Sequence, residues 1–256
     1  MKEPKNHETI ALVRPPGESF AKALSQNPGN IAIDISLAQR QHRNYVKALE
    51  QAGATVVLLD ALEDFPDSVF VEDTAIILKD RAIICPMKED TRRGETESIK
   101  SEINNYRELK VLRPPVSLDG GDAINTGEAL FIGLSKRTNK EAVSALTKLT
   151  DQQIIPAPVI NGLHLKSSAT YIGENTIVIN PARIDRSTFA GYELIEVKEE
   201  ESYAANCLPI GKNVLIADGY PKLAKQISER GFIPHPIPMT EFAKAEGALT
   251  CLSLIF

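Results

Sequence analysis

The chain has 256 residues, 34 acidic against 29 basic for a net charge of −5, with 43% hydrophobic residues. That balance, with no basic cluster able to neutralise several phosphates, argues against nucleic acid as a partner, and no apolar run reaches the ~18 residues of a membrane span. The polar start over residues 1–8 has no signal-peptide core, so a reducing cytoplasm is expected, and three widely separated cysteines argue against a disulfide framework or a CxxC metal site.

Residues 10–13 form a first apolar run. Residues 37–52 carry helical spacing stopped by Gly53, and 55–59 read as a strand. Residues 74–78 and 82–85 are apolar runs joined across Lys79-Asp80-Arg81, a connection of hairpin length. The same figure returns at 123–124 with 129–132, at 169–172 with 176–179, and at 207–210 with 214–216. Glycine or asparagine in the last two connections, Gly173-Glu174-Asn175 and Gly211-Lys212-Asn213, supplies the positive φ of tight turns. After the second hairpin Val143, Leu146 and Leu149 mark one face of a helix over 139–149, followed by a strand at 153–156; after the fourth, 222–230 is a helix closed by Gly231. Residues 184–189, after the third, show no persuasive helical face. The final apolar run is 250–256.

The repeating unit is therefore strand, strand, helix, strand. A fifth unit is split between the chain ends: if 250–256 pairs with 10–13, the helix at 37–52 and the strand at 55–59 complete it and a ring closes. That arrangement uses residues 1–256 as one domain.

Polar residues recur at the start of these units. Asp73, Asp119, His164, Asn206 and Cys251 follow one another at steps of 46, 45, 42 and 45 residues. Equivalent points of successive repeats converge in space, which brings two carboxylates, an imidazole and a thiol together. Each has a plainer reading. A cysteine in an apolar strand is ordinarily a small buried hydrophobe, and His164 between two leucines is ordinarily a hydrogen-bonded core residue. The period is what sets the plain readings aside, because core residues have no reason to be Asp, Asp, His and Cys at matching points. Glu72 and Asp73 interrupt an apolar strand, and burying unpaired carboxylates costs several kcal/mol, so a cation is expected beside them, either an internal Arg or Lys or the substrate. Asp67 is near enough to join them. Gly120-Gly121 is read only as a diglycine, since no phosphate loop or dinucleotide fingerprint surrounds it.

The segments Asp67-Ser68-Val69-Phe70-Val71-Glu72-Asp73-Thr74, Arg92-Arg93-Gly94-Glu95-Thr96-Glu97, Leu118-Asp119-Gly120-Gly121-Asp122, Ser135-Lys136-Arg137-Thr138-Asn139, Leu163-His164-Leu165-Lys166, Glu201-Ser202-Tyr203-Ala204-Ala205-Asn206-Cys207 and Gly247-Ala248-Leu249-Thr250-Cys251 resemble those of dimethylarginine dimethylaminohydrolase, in order and spacing, over almost the whole chain. The resemblance implies a five-bladed pseudo-symmetric α/β propeller (pentein) and a hydrolase that converts N(omega),N(omega)-dimethyl-L-arginine and monomethylarginine to citrulline through a covalent cysteine thiouronium. It implies Cys251 as nucleophile, His164 as general acid and base, and Asp119 as the acid orienting His164, a place some relatives fill with glutamate. Asp67, Glu72 and Asp73 would surround the guanidinium. Arg92 and Arg137 would hold the α-carboxylate by their forks. Leu24 would belong to a lid loop flanked by Gly17 and Gly29 as flexible points, and Ala245 would offer its backbone to the α-amino group.

No metal and no cofactor is expected, and whether zinc binds at Cys251 as an inhibitor stays open. The expected partner is a small-molecule methylated arginine; a homodimer is the assembly to look for. Two other readings stand beside this one: an arginine deiminase releasing ammonia, although no stretch is long enough for the inserted helical module of the larger deiminases, and a non-catalytic ribosome-binding pentein factor, which would not need thiol, imidazole and acid together.

Overall fold

The structure is a computed structural model and describes residues 9–25 and 31–256. Gly29 lies outside the described residues.

In chain order the elements are β1 (Ile10–Val13), α1 (Ile35–Gln51), β2 (Thr55–Leu58), β3 (Ala75–Ile77), β4 (Arg81–Ile84), α2 (Thr96–Ile103), β5 (Glu108–Val111), β6 (Ala123–Asn125), β7 (Ala129–Leu134), α3 (Lys140–Leu146) and β8 (Gln153–Pro158). They continue with β9 (Ala169–Gly173), β10 (Thr176–Ile179), β11 (Glu193–Glu196), β12 (Leu208–Ile210), β13 (Asn213–Ala217), α4 (Pro221–Glu229), β14 (Ile233–Ile237), α5 (Thr240–Lys244) and β15 (Ser253–Ile255). The strands form five three-stranded sheets, β15-β1-β2, β3-β4-β5, β6-β7-β8, β9-β10-β11 and β12-β13-β14. In each, the first strand of the unit pairs antiparallel with the second, and the second parallel with the third. The expected closure is present: Ala11 faces Ile255, Leu12 faces Leu254 and Val13 faces Ser253. This is the five-bladed α/β propeller.

Why the middle strands read as unbroken apolar runs follows from where their two faces go. Successive strand residues point to opposite faces. In β7, Leu130 and Ile132 join an apolar cluster shared with the blade of β3 and β4, while Ala129 and Phe131 join another shared with the blade of β9 and β10. In β1, Ala11 and Val13 face one cluster and Leu12 the next. Each of the five clusters lies between two neighbouring blades, so no blade can bury its own apolar surface alone. Fully burying each large side chain contributes roughly 1.5–3 kcal/mol.

Local signals set the helix ends. Asp34 caps α1 by accepting from Leu37 N–H at 2.9 Å, a cap contributing ~1 kcal/mol. Asn139 caps α3 in the same way through Ala142 N–H at 3.3 Å. Pro221 starts α4, and Gly231, at φ +80°, takes up the left-handed backbone just past its end. The third blade has only a 3-10 turn, Arg186–Phe189, where a helix stands in the others.

A 3-10 turn precedes the first strand of every blade: Val71–Thr74, Gly120–Asp122, Leu165–Ser167, Glu199–Ala205 and Thr250–Leu252. These turns gather at one end of the ring and carry the polar residues of the period. The matching is looser than the even steps suggest. Asp73, Asn206 and Cys251 each stand two residues before their strand, but Asp119 stands four before β6 and His164 five before β9.

Candidate active site

Cys251 and His164 line one cavity of about 220 Å³. Asp67, Asp73, Arg92, Arg137, Leu24 and Ala245 line it too. Eight of the ten residues singled out in the sequence therefore meet here. Asp119 lies directly behind His164, its Oδ2 3.0 Å from His164 Nε2. Glu72 is the exception.

His164 and Asp119 are 5% and 1% exposed. Burial alone would drive His164 toward its neutral form. The charge of Asp73, whose Oδ1 is 3.9 Å from Nδ1, together with the bond to Asp119 and the charge of Asp122, outweighs burial and raises its pKa to about 9. The imidazole is thus a proton donor at neutral pH. Burial pushes the Cys251 thiol up, and the negative charges of Glu72 and Asp73 push it further, so these groups favour the protonated thiol.

The carboxylates are held differently. Asp73 Oδ1 accepts from Gly121 N–H at 3.2 Å and Oδ2 from Arg92 Nη1 at 2.7 Å. Although burial opposes its charge, His164 and Arg92 hold its pKa below the usual range. Asp67 accepts from Leu24 N–H, at 3.1 and 3.3 Å to its two oxygens, and burial raises its pKa. The backbone of Leu24 is therefore tied to Asp67, and that of its neighbour is tied in turn, Ser25 Oγ donating to Lys244 O at 2.9 Å. Gly17 is no loose point: Glu18 N–H and Ser19 N–H donate to Glu63 at 3.0 and 2.8 Å, and a Cβ on Gly17 would lie 2.5 Å from the same carboxylate.

Two expectations need correction. Glu72 does not face the cavity: Lys166 Nζ donates to its Oε1 at 2.6 Å and Thr250 Oγ1 to its Oε2 at 2.8 Å. Glu72, Lys166 and Thr250 line a second cavity, of about 290 Å³. A buried carboxylate takes the strongest cation within reach, and Lys166 supplies one inside the protein. Nor does Arg92 present its fork. Its Nε and Nη2 donate to Glu95 at 3.0 and 2.9 Å and its Nη1 to Asp73, while Nη2 also reaches the carbonyls of Asp67 and Phe70. One Nη1–H is left for a ligand. Arg137 is the opposite case: its Nη1 is buried and makes no hydrogen bond, with Glu89 and Asp119 carboxylates 3.5 and 3.7 Å away.

Sequence reasoning passed over Gly120 and Gly121. A Cβ on Gly120 would collide with the backbone carbonyl of Glu72, and one on Gly121 would lie 2.8 Å from Asp73 Oδ1 and 2.9 Å from His164 Nδ1. The diglycine is what lets the acid and the imidazole share the cavity. Asn206, the remaining member of the period, holds the residue before Cys251: its Oδ1 accepts from Thr250 N–H at 2.9 Å, and its Nδ2 donates to Thr250 Oγ1 at 2.9 Å and to Lys166 O at 3.0 Å. Lys166, Thr250 and Glu95 all sit inside the quoted segments, but nothing local marks their partners.

Asp73, Asp119 and His164 also place one potential ligand atom each within 4.8 Å of one another. All three already have hydrogen-bond partners in the protein; their donors are fitted to one another, and we assign no metal to them.

A ring of five blades with thiol, imidazole and acids at one end of its axis defines a pentein with the side-chain set of a cysteine hydrolase. The chain belongs to the dimethylarginine dimethylaminohydrolase family. A family model described as N,N dimethylarginine dimethylhydrolase, eukaryotic, matches residues 16–217. The N(G),N(G)-dimethylarginine dimethylaminohydrolase of Pseudomonas aeruginosa is 33% identical over 96% of this chain and 98% of its own length. That of Streptomyces coelicolor is 32% identical over 95% of each chain. Among solved structures, a cysteine-to-serine variant of the Pseudomonas enzyme complexed with citrulline superposes with a TM-score of 0.92 at 30% identity, covering 96% of this chain and 98% of that one. The N-terminal domain of a cyanobacterial arginine dihydrolase bound to substrate shares the fold, at a TM-score of 0.89 and 21% identity over 97% and 98% of the two chains.

Proposed function

We propose that this chain hydrolyses N(omega),N(omega)-dimethyl-L-arginine, and monomethylarginine, to L-citrulline and dimethylamine or methylamine. The observation that carries the reading is the cavity lined by Cys251, His164, Asp67 and Asp73 in a member of this family. A guanidinium stays protonated at neutral pH, and the acids fix it against Cys251. Burial, with the charges of Glu72 and Asp73, holds the thiol protonated; the guanidinium's positive charge offsets those negative charges, so on substrate binding the thiol gives its proton to solvent and becomes the thiolate. Thiolate adds to the guanidinium carbon and forms a C–S bond. His164 gives its proton to the departing amine, the C–N bond breaks, and a thiouronium remains on Cys251. His164, now neutral, takes a proton from water; the hydroxide adds to the same carbon, the C–S bond breaks, and citrulline leaves. Asp119 keeps the ring oriented through both halves. Each step uses a side chain already in the cavity.

Arg137, with its unbonded Nη1, takes the α-carboxylate, and Arg92 adds a single hydrogen bond. Ala245, 5% exposed at the end of α5, turns its backbone to the α-amino group. Glu72 acts on the thiol through its charge. Residues 1–256 work as one catalytic domain, since each apolar cluster needs two blades.

No helix among the described residues is long and apolar enough to cross a membrane, and all three cysteines are free, which supports a cytoplasmic protein. Leu58, Val111 and Ile233 stand exposed on outer strands, which supports a homodimer; light scattering tests it.

The purified chain is incubated separately with arginine, monomethylarginine and dimethylarginine, and citrulline is assayed. The methylated substrates should give the higher kcat/KM. A preference for arginine would replace this reading with arginine deiminase, and no citrulline from any of the three would leave only a non-catalytic pentein.

A further inference from the structure

Asp122 is fully buried, and its three hydrogen-bond donors are all neutral. Its Oδ2 accepts from the hydroxyls of Ser135 and Thr138, both at 2.6 Å, and its Oδ1 from Leu165 N–H at 2.8 Å. Each donor leads to a different member of the site. Leu165 follows His164 in the chain. Thr138 Oγ1 accepts from Asp119 N–H at 3.3 Å. Ser135 Oγ accepts from Arg137 N–H at 2.9 Å. The fold makes room for this arrangement: a Cβ on Gly133, in β7, would lie 2.5 Å from Asp122 Oδ1 and 2.7 Å from Leu165 Cβ. Burying a carboxylate with no cation hydrogen-bonded to it is unfavourable, a penalty an asparagine of the same size avoids.

We propose that Asp122 is a second positioning residue of this active site, behind Asp119, holding His164, Asp119 and Arg137 in one frame through Leu165, Thr138 and Ser135, with its charge set toward the His164 imidazolium. The inference rests on the hydrolase reading above. Burial raises the Asp122 carboxyl, and the positive charge of His164 is the largest influence opposing it. His164 meets the charges of Asp73, Asp119 and Asp122, and shares its cavity with Cys251, Asp67, Glu89, Arg92 and Arg137.

Asp122→Asn tests the charge alone, because its amide oxygen still accepts from Leu165 N–H and its NH₂ can donate to the two hydroxyls. It should lower kcat roughly 10-fold, part of the ~10²–10⁴ that general acid–base catalysis supplies, with KM for dimethylarginine within about 2-fold. The His164 titration, followed by nitrogen NMR, should move to lower pH. Asp122→Ala removes the frame and should lower kcat by on the order of 10²-fold while raising KM, since Arg137 is released too. If that variant does not fold, Thr138→Val cuts the Asp119 arm alone and should lower kcat. An unmoved His164 titration in Asp122→Asn overturns the inference, as does unchanged kcat in Thr138→Val. The NMR readout needs no turnover, so a wild-type chain that releases no citrulline sinks the hydrolase reading and leaves this result to stand or fall by itself.

Discussion

Replacing Gly121 by alanine adds one carbon where the site has no room for it. The new Cβ would lie 2.8 Å from Asp73 Oδ1 and 2.9 Å from His164 Nδ1, against the ~3.5 Å at which non-bonded heavy atoms pack comfortably. The acid and the ring must each retreat by about 0.6–0.7 Å if the backbone stays put. Gly121 avoids the left-handed region, so alanine strains no backbone angle and the whole effect comes from that carbon. Overpacking of this kind costs ~1–3 kcal/mol, a fall in Tm of roughly 2–4 °C per kcal/mol for a chain of this size. Catalysis should suffer more: pushing His164 off Gly121 disturbs its 3.0 Å bond to Asp119, and misplacing a catalytic group by ~1 Å costs on the order of 10²-fold. Citrulline release under saturating dimethylarginine, with a thermal melt alongside, measures both. A variant whose kcat stays within about 2-fold of wild type would refute the claim that the missing side chain at 121 sets the acid–imidazole distance.

Cys251→Ser should abolish turnover, whereas Cys85→Ser and Cys207→Ser, at buried positions away from the cavity, should keep kcat and lose only stability; citrulline assays on the three variants decide it. His164→Gly, which lacks the acid of the first half and the base of the second, should lose turnover, and any thiouronium that forms on Cys251 should persist, visible by mass spectrometry as an added mass that wild type clears; normal turnover without adduct would contradict its role. Arg137→Lys should raise KM with a smaller change in kcat, since a point charge cannot reproduce paired hydrogen bonds; the corresponding Arg92 variant should instead lose stability through Glu95 and Asp73, so steady-state kinetics and melts separate the two. Because the folded-state pKa of His164 is raised from 6.5 to about 9, its contribution to stability is fully present below pH 6.5 and is lost as pH rises through about 9. Denaturant midpoints measured across that window should fall in wild type and fall less in His164→Gln; parallel slopes would show that the group does not carry this dependence.

Much of the ring is legible in the sequence because the middle strands are buried on both faces, and β4, β7, β10 and β13 therefore appear as apolar runs behind short polar turns. Outer strands and short helices are less visible. β5 has only its two central residues partly covered, and α2 starts inside a run of charged residues, so neither leaves a pattern to read. The period located the end of the ring where the chemistry sits, yet not the offsets within each turn, which depend on whether the side chain enters from before or within the 3-10 turn. At the offset shared by Asp73 and Cys251, the second blade has Gly121, and an absent side chain leaves no chemical signature. Partners far apart in sequence were equally hidden. Lys166 claims Glu72 across 94 positions, and even Glu95, only three residues from Arg92, gives no sign in sequence that it takes Nε and Nη2 of that guanidinium.

The blade that carries Cys251 is stitched together from opposite ends of the chain, by the pairing of β15 with β1. Every other blade is built from residues contiguous in sequence, and its pairings close short loops. The seam alone demands the largest loop closure in the molecule, an entropic cost that must be met before its contacts form. The thiol should accordingly be the last reactive group seated as the chain folds and the first unseated when it loosens, a safety catch that keeps the nucleophile misaligned in any partly formed ring. Amide exchange that is faster in β1 and β15 than in β7 and β10, with loss of turnover tracking the seam and not the global melt, is the behaviour this architecture dictates.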